Sequence, residues 1–291
     1  MAGPEPIGLI AGWGRFPVLF AQKAKSLGMP VVCVGIRGMA DRAALEPHCH
    51  RFYWTRLAAM SRPIRCFKHS GVRRWTMAGK VFKVKIFSPG RWVTLLPDLR
   101  MLRFWFFRRR RDNADDTLAL AIIAEFARDG LECTSALDLC PELLVRAGVL
   151  TRRHPTAREQ ADIEYGWQLA KEMGRLDVGQ SVAVRDRAVL AVEAIEGTDA
   201  AIRRAGELCP TGGFVVVKVA KPQQDMRFDV PTVGPSTIQS MRAASGNVLA
   251  IEAGKTILID EAETIRLADE AGIVIISRES DSLRDSPLPP N

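Results

Sequence analysis

No CxxC pair occurs in this chain, although it carries six cysteines among its 291 residues. They are spread from Cys33 to Cys209 without the spacing of a metal site, as is typical of reduced thiols in a cytosolic protein. The first residues lack the basic stretch and apolar core of a secretory signal, and no apolar run is long enough to cross a bilayer. We therefore expect a cytoplasmic protein that is soluble, or at most peripheral at a membrane.

An excess of acidic residues is also missing, because lysine and arginine number 41 against 33 aspartates and glutamates, for a net charge of +8. This balance favours an anionic partner, namely a nucleic acid, an acidic bilayer surface or a phosphorylated substrate, and composition does not choose among them. The hydrophobic content of 47% is enough for ordinary cores, and the length suggests two domains.

The first forty residues have the pattern of a βαβ unit. An apolar strand over Ile7–Ala11 leads into a glycine loop, a helix is predicted from Pro17 to Leu27, and a second apolar strand covers Val31–Ile36. Proline suits the first turn of a helix, and Gly28 suits its end. This order of elements predicts a parallel, Rossmann-like sheet.

The dinucleotide-binding fingerprint of such a sheet is incomplete in this chain. Pro17 stands where the third glycine is required, and Arg37 replaces the acidic residue expected after the second strand. NADP suits this pattern better than NAD, because Arg37 could meet a 2′-phosphate. Gly12 and Gly14 either allow a tight turn or let backbone amides hold a phosphate or a uridine. Lys80, at a predicted strand edge, is either a solvated charge or a phosphate contact.

A basic and aromatic stretch runs from residue 100 to residue 111. It suits an amphipathic helix with aromatic side chains in the core, docking at an anionic membrane surface, or binding of a nucleic acid. From composition and turn signals we expect four segments: an N-terminal domain over 1–133, a connecting segment over 134–155, a C-terminal domain over 156–277 and a disordered tail over 278–291.

Three carboxylates, Glu193, Glu196 and Asp199, stand between a predicted strand and a predicted helix that has Thr198 as its N-cap. They serve either as capping and surface charges or as ligands of Mg²⁺ or a ribose.

The most polar loop extends from Lys218 to Thr237, after an apolar strand. It combines two lysines, an arginine, two aspartates and two glutamines with three prolines. Cationic side chains suit phosphate oxygens, and aspartates suit a hard metal ion or a proton. The alternative is an internally bonded loop, in which Asp225 and Asp229 only neutralise Arg227.

Four segments of the chain together resemble one protein family. They are residues 7–17, 78–81, 193–199 and 218–237, and the last contains the specific string Lys-Pro-Gln-Gln-Asp-x-Arg-Phe-Asp-x-Pro-Thr-Val-Gly-x-x-Thr. The chain resembles, from residue 7 to about residue 276, the UDP-2,3-diacylglucosamine pyrophosphatase family of lipid A biosynthesis that is unrelated to the calcineurin-like enzymes of the same step.

The resemblance implies an α/β fold, with an N-terminal Rossmann-like parallel-sheet domain, a C-terminal mixed α/β domain and a substrate cleft between them. It implies hydrolysis of the pyrophosphate bond of UDP-2,3-diacylglucosamine to UMP and 2,3-diacylglucosamine 1-phosphate (lipid X). It further implies that this reaction depends on Mg²⁺ or another divalent cation.

By its place in the motif, Asp225 corresponds to the catalytic aspartate, which either ligates the metal or acts on the water. The expected metal ligands are Asp225, Asp199 and Glu196. The expected substrate-binding residues are Gly12, Trp13, Lys80, Thr198, Lys218, Lys221, Gln224, Arg227 and Thr237. Of these, Lys218, Lys221 and Arg227 supply the cations that a pyrophosphate transition state needs.

The chain departs from the family pattern over residues 47–111, which are more basic and aromatic, and at Ala114, where a glycine is expected. These departures affect substrate contacts rather than the chemistry. Besides the substrate, an anionic inner-membrane surface and a second copy of the chain are open as partners, and no nucleic acid is expected. An NADP-binding oxidoreductase and a non-catalytic binder of anionic surfaces are the competing hypotheses.

Overall fold

The computed structural model describes the backbone of residues 4–81, 97–108 and 115–280, with their side chains except those of 104–108 and 115–118. Two compact units are present. The first contains Met1–Pro141 together with Asp225–Asp229, and the second contains Glu142–Gln224 and Val230–Asn291. The finer domain limits expected from the sequence stay predictions.

The first unit is built on a five-stranded sheet in the order β3-β2-β1-β4-β5, in which every pairing is parallel. Its strands are β1 (Ile7–Ala11), β2 (Val31–Ile36), β3 (Arg51–Thr55), β4 (Arg74–Ala78) and β5 (Glu132–Cys133). Its helices are α1 (Phe16–Ser26), α2 (Arg42–Leu45), α3 (Ser61–His69), α4 (Leu99–Arg108) and α5 (Asp115–Ala127). The predicted βαβ unit and the Rossmann-like parallel sheet are confirmed.

Aromatic side chains fill the core of this unit. Trp75 of β4 stacks on Phe126 with 4.3 Å between ring centroids. The ring centroid of Phe67 lies 6.3 Å from that of the same indole. The buried indole N–H donates to the carbonyl of Leu131 at 3.3 Å, so its polar atom is satisfied. These contacts attach α3 and α5 to the sheet.

The second unit has a mixed six-stranded sheet in the order β6-β13-β11-β9-β7-β8 and a two-stranded parallel pair, β10 and β12. Its strands are β6 (Gly148–Val149), β7 (Ser181–Arg185), β8 (Ala188–Val192), β9 (Phe214–Lys218), β10 (Thr232–Val233), β11 (Gly246–Glu252), β12 (Ile257–Leu258) and β13 (Val274–Arg278). Its helices are α6 (Ala157–Arg175), α7 (Thr198–Leu208), α8 (Pro235–Ala243) and α9 (Glu261–Glu270). The predicted C-terminal mixed α/β domain is confirmed.

The central strand β9, which pairs in parallel with β11 and antiparallel with β7, is buried on both faces. Phe214 and Val216 belong to one apolar cluster, and Val215 and Val217 belong to another, which also contains Trp167 of α6. Helix and strand approach so closely there that a Cβ on Gly166 would lie 2.8 Å from Val217. The tight packing of α6 fixes the direction in which the chain leaves β9.

Several predictions fall on residues that the structure does not describe. The backbone of α4 is helical to Arg108, but the side chains of 104–108 and residues 109–111 of the basic and aromatic stretch lie outside the described residues, as do Ala114 and the tail from residue 281. Among the described residues, no helix has both the length and the apolarity needed to span a bilayer.

Candidate functional site

In the first unit, the predicted site residues follow β1 and β4, two neighbouring parallel strands. The residues after these strands meet at the carboxyl edge of the sheet, which is where ligands bind in folds of this kind. Trp13 and Lys80 pair through their backbones there. The amide of Trp13 donates to the carbonyl of Lys80 at 2.9 Å, and the amide of Lys80 donates to the carbonyl of Trp13 at 2.8 Å. The structure therefore brings Gly12, Trp13 and Lys80 together.

The close approach of these two loops gives the glycines a steric role. A Cβ on Gly12 would lie 2.7 Å from the carbonyl oxygen of Lys80, and Gly79, at φ +92°, adopts a conformation that favours glycine. The amide of Gly12 donates to the carbonyl of Ala78 at 2.8 Å, and that of Trp13 is used in the pairing described above. Both amides are therefore engaged within the protein. Trp13 as a whole is 44% exposed, so a substrate contact of this residue would come from its indole.

The segment Asp225–Asp229 belongs to the first unit, although the chain on either side of it belongs to the second. The hydroxyl of Ser135, just after β5, donates to the carbonyl of Met226 at 2.8 Å. Phe228 packs against the aromatic core around Trp75. The segment thus lies beside the carboxyl end of β5, on the same edge of the sheet as Trp13 and Lys80.

Asp225 forms a multiple ion pair with Arg227. Its Oδ1 accepts from the Arg227 amide and Nε, both at 3.0 Å, and its Oδ2 accepts from Nε at 3.2 Å and from Nη2 at 2.6 Å. The hydrogen bonds from Arg227 hold the pKa of the Asp225 carboxyl below its ordinary value, against the opposing effect of burial. Asp225 is therefore a carboxylate, and of the internal neutralisation considered from the sequence the pairing of Asp225 with Arg227 is present.

In the second unit, a chain of three buried polar residues joins β9 to the loop before α7. The ammonium of Lys218 donates to Thr198 Oγ1 at 2.7 Å, and that hydroxyl donates to Glu193 Oε1 at 2.9 Å. The prediction of Thr198 as an N-cap is wrong, because α7 begins at Thr198 itself and Gly197, at φ +84°, is the capping residue. The hydroxyl is free for this role because it does not cap the helix.

Glu193 was absent from the predicted site, although its position between a strand and a helix had been noted as suited to a ligand. Glu193 is buried and accepts a hydrogen bond from Thr198, which in turn accepts one from Lys218. In the sequence, Glu193 is only a carboxylate five residues before a threonine. This spacing does not predict a contact, because the fold of the β8–α7 loop brings the two side chains together.

The remaining predicted contacts of the second unit are spread over two places. The amide of Lys221 donates to Gln224 Oε1 at 2.6 Å, and its ammonium forms an ion pair with Asp177. Thr237 lies in α8 and is buried, with 4% of its surface exposed. The structure brings Lys221 and Gln224 together in one turn and leaves Thr237 as part of a helix.

The predicted metal ligands belong to different units, since Asp225 is in the first unit and Glu196 and Asp199 are in the second. Glu196 forms an ion pair with Arg204 at 3.0 Å. Within the described residues, Asp199 Oδ1 and Glu193 Oε2 are buried carboxylate oxygens without a hydrogen-bond partner, and no group of three or more His, Cys, Asp or Glu side chains could hold a metal. Unpartnered carboxylate oxygens are suitable donors for a hard cation, which needs only one or two of them beside substrate oxygens.

Comparison with known proteins gives the same result for both halves of the chain. The LpxI N-terminal domain matches residues 6–143, and the LpxI C-terminal domain matches residues 146–276. A protein of Caulobacter vibrioides named UDP-2,3-diacylglucosamine pyrophosphatase LpxI is 31% identical over 284 residues, which cover 93% of this chain and 96% of the relative. The resemblance found from the sequence motifs is confirmed, and the chain belongs to the LpxI family.

Proposed function

We propose that this chain hydrolyses the pyrophosphate bond of UDP-2,3-diacylglucosamine to UMP and 2,3-diacylglucosamine 1-phosphate, a step of lipid A biosynthesis. Membership of the LpxI family over both units supports the reaction, since the Caulobacter vibrioides relative is named for it. The observation that carries the proposal is the Asp225–Arg227 pair, which stands within the motif string and at the carboxyl edge of a parallel sheet.

In this proposal, Arg227 exchanges one anion for another. Its side chain is 37% exposed and bonded to Asp225, so a phosphate oxygen can compete for the same guanidinium. Arginine binds phosphate in the bidentate geometry that it uses for carboxylate. A pyrophosphate that draws Arg227 away frees the lone pairs of Asp225, which the ion pair otherwise fills.

Asp225 then acts as a carboxylate near the reacting phosphorus. Its lowered pKa makes it a weak proton acceptor and a good acceptor of hydrogen bonds or ligand of a cation. We assign it the orientation of the attacking water or the binding of a divalent cation. Lys218 and Lys221 add positive charge for the oxygens of the pyrophosphate, whose charge increases in the transition state.

The divalent cation of the proposal is Mg²⁺ or a similar hard ion, which needs only one or two of the predicted ligands Asp225, Asp199 and Glu196 beside oxygens of the substrate. Bound there, it would neutralise charge on the pyrophosphate and lower the pKa of a water. The unpartnered Oδ1 of Asp199 supports such a site. The metal ligands and the substrate contacts of Gly12, Trp13, Lys80, Thr198, Gln224 and Thr237 stay predictions.

We also propose that the protein is cytoplasmic and docks at the anionic inner-membrane surface, where a diacylated substrate resides. Helix α3 supports this, because Pro63, Ile64 and Phe67 face the core while its cations are exposed. These cations are Arg62, Arg65 and Lys68. Sedimentation with vesicles that contain or lack anionic lipid tests the idea, and replacing Arg62 and Arg65 by Gln should reduce binding by about 1 kcal/mol per charge.

The experiment that tests the activity uses the purified chain, a diacylated UDP-sugar and Mg²⁺ or a chelator, with detection of UMP. We expect UMP and the sugar 1-phosphate in equal amounts with Mg²⁺ and none with the chelator. Turnover that persists in chelator would remove the cation from the proposal, and no turnover in either condition would remove the reaction.

A fluorescence titration with NADPH checks the competing oxidoreductase hypothesis. A homodimer stays a prediction.

A further inference from the structure

The turn that follows β9 is held by a buried ion pair outside the predicted site. Lys171 of α6 donates to Glu252 Oε2 at 2.6 Å, and Glu252 is the last residue of β11. The same Oε2 accepts from the amide of Ala220 at 2.7 Å, and the ammonium of Lys171 donates to the carbonyl of Ala220 at 2.9 Å. Both main-chain polar groups of one residue are thus bound by the two members of one ion pair.

Ala220 lies between Lys218 and Lys221, two cations of the proposed site. Strands β9 and β11 are parallel neighbours with Ile251 opposite Lys218, so Glu252 reaches the turn directly beyond the strand. The amide of Val219 is bonded to the carbonyl of Gln180 at 3.0 Å, which fixes the residue before Ala220 as well. The backbone is therefore fixed over the residues that lead from β9 towards Asp225.

Stabilisation of the fold does not by itself explain this pair. The Glu252 side chain is fully buried and that of Lys171 is 23% exposed, and removing two charges from water offsets most of what their attraction contributes. An apolar pair of similar volume would pack there without that cost, but it could not bind the amide and carbonyl of Ala220. What the charges add is a defined backbone geometry at one residue.

We infer that Lys171 and Glu252 are positioning residues for the hydrolysis, because they hold the backbone at Ala220 and with it the turn that carries Lys221 and Gln224. Neither residue is assigned a contact with substrate. The inference rests on the proposed function, since it names residues that support the same site. Loss of the pair removes none of the substrate-binding side chains but widens the range of positions that they sample.

The test compares Lys171→Met with Lys255→Met. Lys255 contacts the other oxygen of Glu252, Oε1, at 3.0 Å, and no contact between Lys255 and Ala220 is present among the described residues, so this variant removes a charge from the same carboxylate without touching the turn. We expect Lys171→Met to lower kcat roughly tenfold to hundredfold with KM within about twofold, as for misplaced catalytic groups, and Lys255→Met to stay within about twofold of the wild type.

Hydrogen exchange of the peptide over 219–224 is read in parallel and does not depend on substrate. We expect faster exchange there in Lys171→Met and unchanged exchange in Lys255→Met. If Lys171→Met does not fold, Glu252→Gln takes its place, because it keeps the shape and one acceptor and removes the charge; an intermediate loss of kcat is then expected. Wild-type kcat in the folded variant, or equal losses in both lysine variants, would overturn the inference.

Failure of the proposed function gives a different result. If the wild type releases no UMP, the reaction is wrong, whereas the exchange measurement still reports whether the pair holds the turn. If the wild type is active and Lys171→Met is as active, only the positioning role is wrong.

Discussion

Two ion pairs of this protein handle charge in opposite ways. Asp225 and Arg227 are two positions apart and keep 22% and 37% of their side chains exposed, whereas Glu252 and Lys171 are 81 positions apart and keep 0% and 23% exposed. A local, partly exposed pair can exchange partners without any change of fold. A buried, distant pair cannot, because it joins a helix, a strand end and a turn.

The difference separates charge that is available for chemistry from charge that fixes geometry. Arg227 is bonded to a carboxylate, and a phosphate could take the place of that carboxylate because arginine binds both in the same bidentate geometry. Glu252 has four donors, from Lys171, Ala220, Lys255 and Ser280, and its own side chain is fully buried. The two pairs should therefore respond differently to the same kind of substitution.

The largest expected effect is on stability. Glu252→Ala should lower the free energy of unfolding by about 3–5 kcal/mol, because it leaves the partly buried Lys171 ammonium and the buried Ala220 amide without their acceptor. Asp225→Ala should lower it by no more than about 1 kcal/mol, as expected for a partly exposed pair. Urea unfolding of the two variants measures the contrast. Equal losses would mean that burial does not distinguish the two pairs.

The next effect is on catalysis, where we expect substitution of Asp225 to have a larger effect than substitution of Glu252. Asp225→Asn should reduce kcat by about a hundredfold to a thousandfold, the range seen when one group that acts on the transition state is removed. Asp229→Asn, in the same segment, is the matched control and should lose clearly less. UMP release under saturating substrate measures both. If the two variants lost equal activity, the position of Asp225 in the motif would carry no special role.

A smaller effect is expected when the guanidinium is replaced but the charge is kept. Arg227→Lys should reduce kcat/KM about tenfold or more, since hydrogen bonds to charged groups contribute about 1.5–3 kcal/mol and a lysine cannot form the bidentate contact. Its stability should match the wild type, because the pair is partly exposed. A variant with full activity would show that a point charge is sufficient and that the exchange of partners by Arg227 is not needed.

How much of this could be read from the sequence depends on how local each feature is. The strands Ile7–Ala11 and Val31–Ile36 were predicted with the observed limits, because apolar runs between turn signals depend only on neighbouring residues. Thr198 was misassigned as a cap, since its partners Glu193 and Lys218 are brought to it by the sheet. A motif string identified Asp225, and its pairing with Arg227 was considered beforehand because the two are close in the chain.

The Lys171–Glu252 pair had no such signal. A lysine in the middle of a helix and a glutamate at the end of a strand are ordinary surface residues by composition, and 81 positions separate them. Only the parallel pairing of β9 and β11 and the packing of α6 bring both to Ala220. Grouping of residues 225–229 with the first unit was missed for the same reason, because it depends on Ser135 and on the core around Trp75.

The smallest expected effect is a difference in pH dependence between the wild type and Glu252→Gln. Burial alone would raise the pKa of Glu252, but hydrogen bonds from Lys171, Ser280 and Lys255 outweigh it, and the pKa lies below its ordinary value of 4.5. The folded protein therefore binds fewer protons at this carboxyl than the unfolded chain does, so the stability from Glu252 is fully present above the ordinary pKa and is lost as pH falls through the lower, folded pKa. The glutamine does not titrate.

Urea unfolding of both proteins between about pH 6 and pH 3 should show the stability advantage of the wild type over Glu252→Gln shrinking on acidification. An advantage that stayed constant over this range would mean that Glu252 has the same pKa in the folded and unfolded states, and that the donors around it compensate for burial and no more.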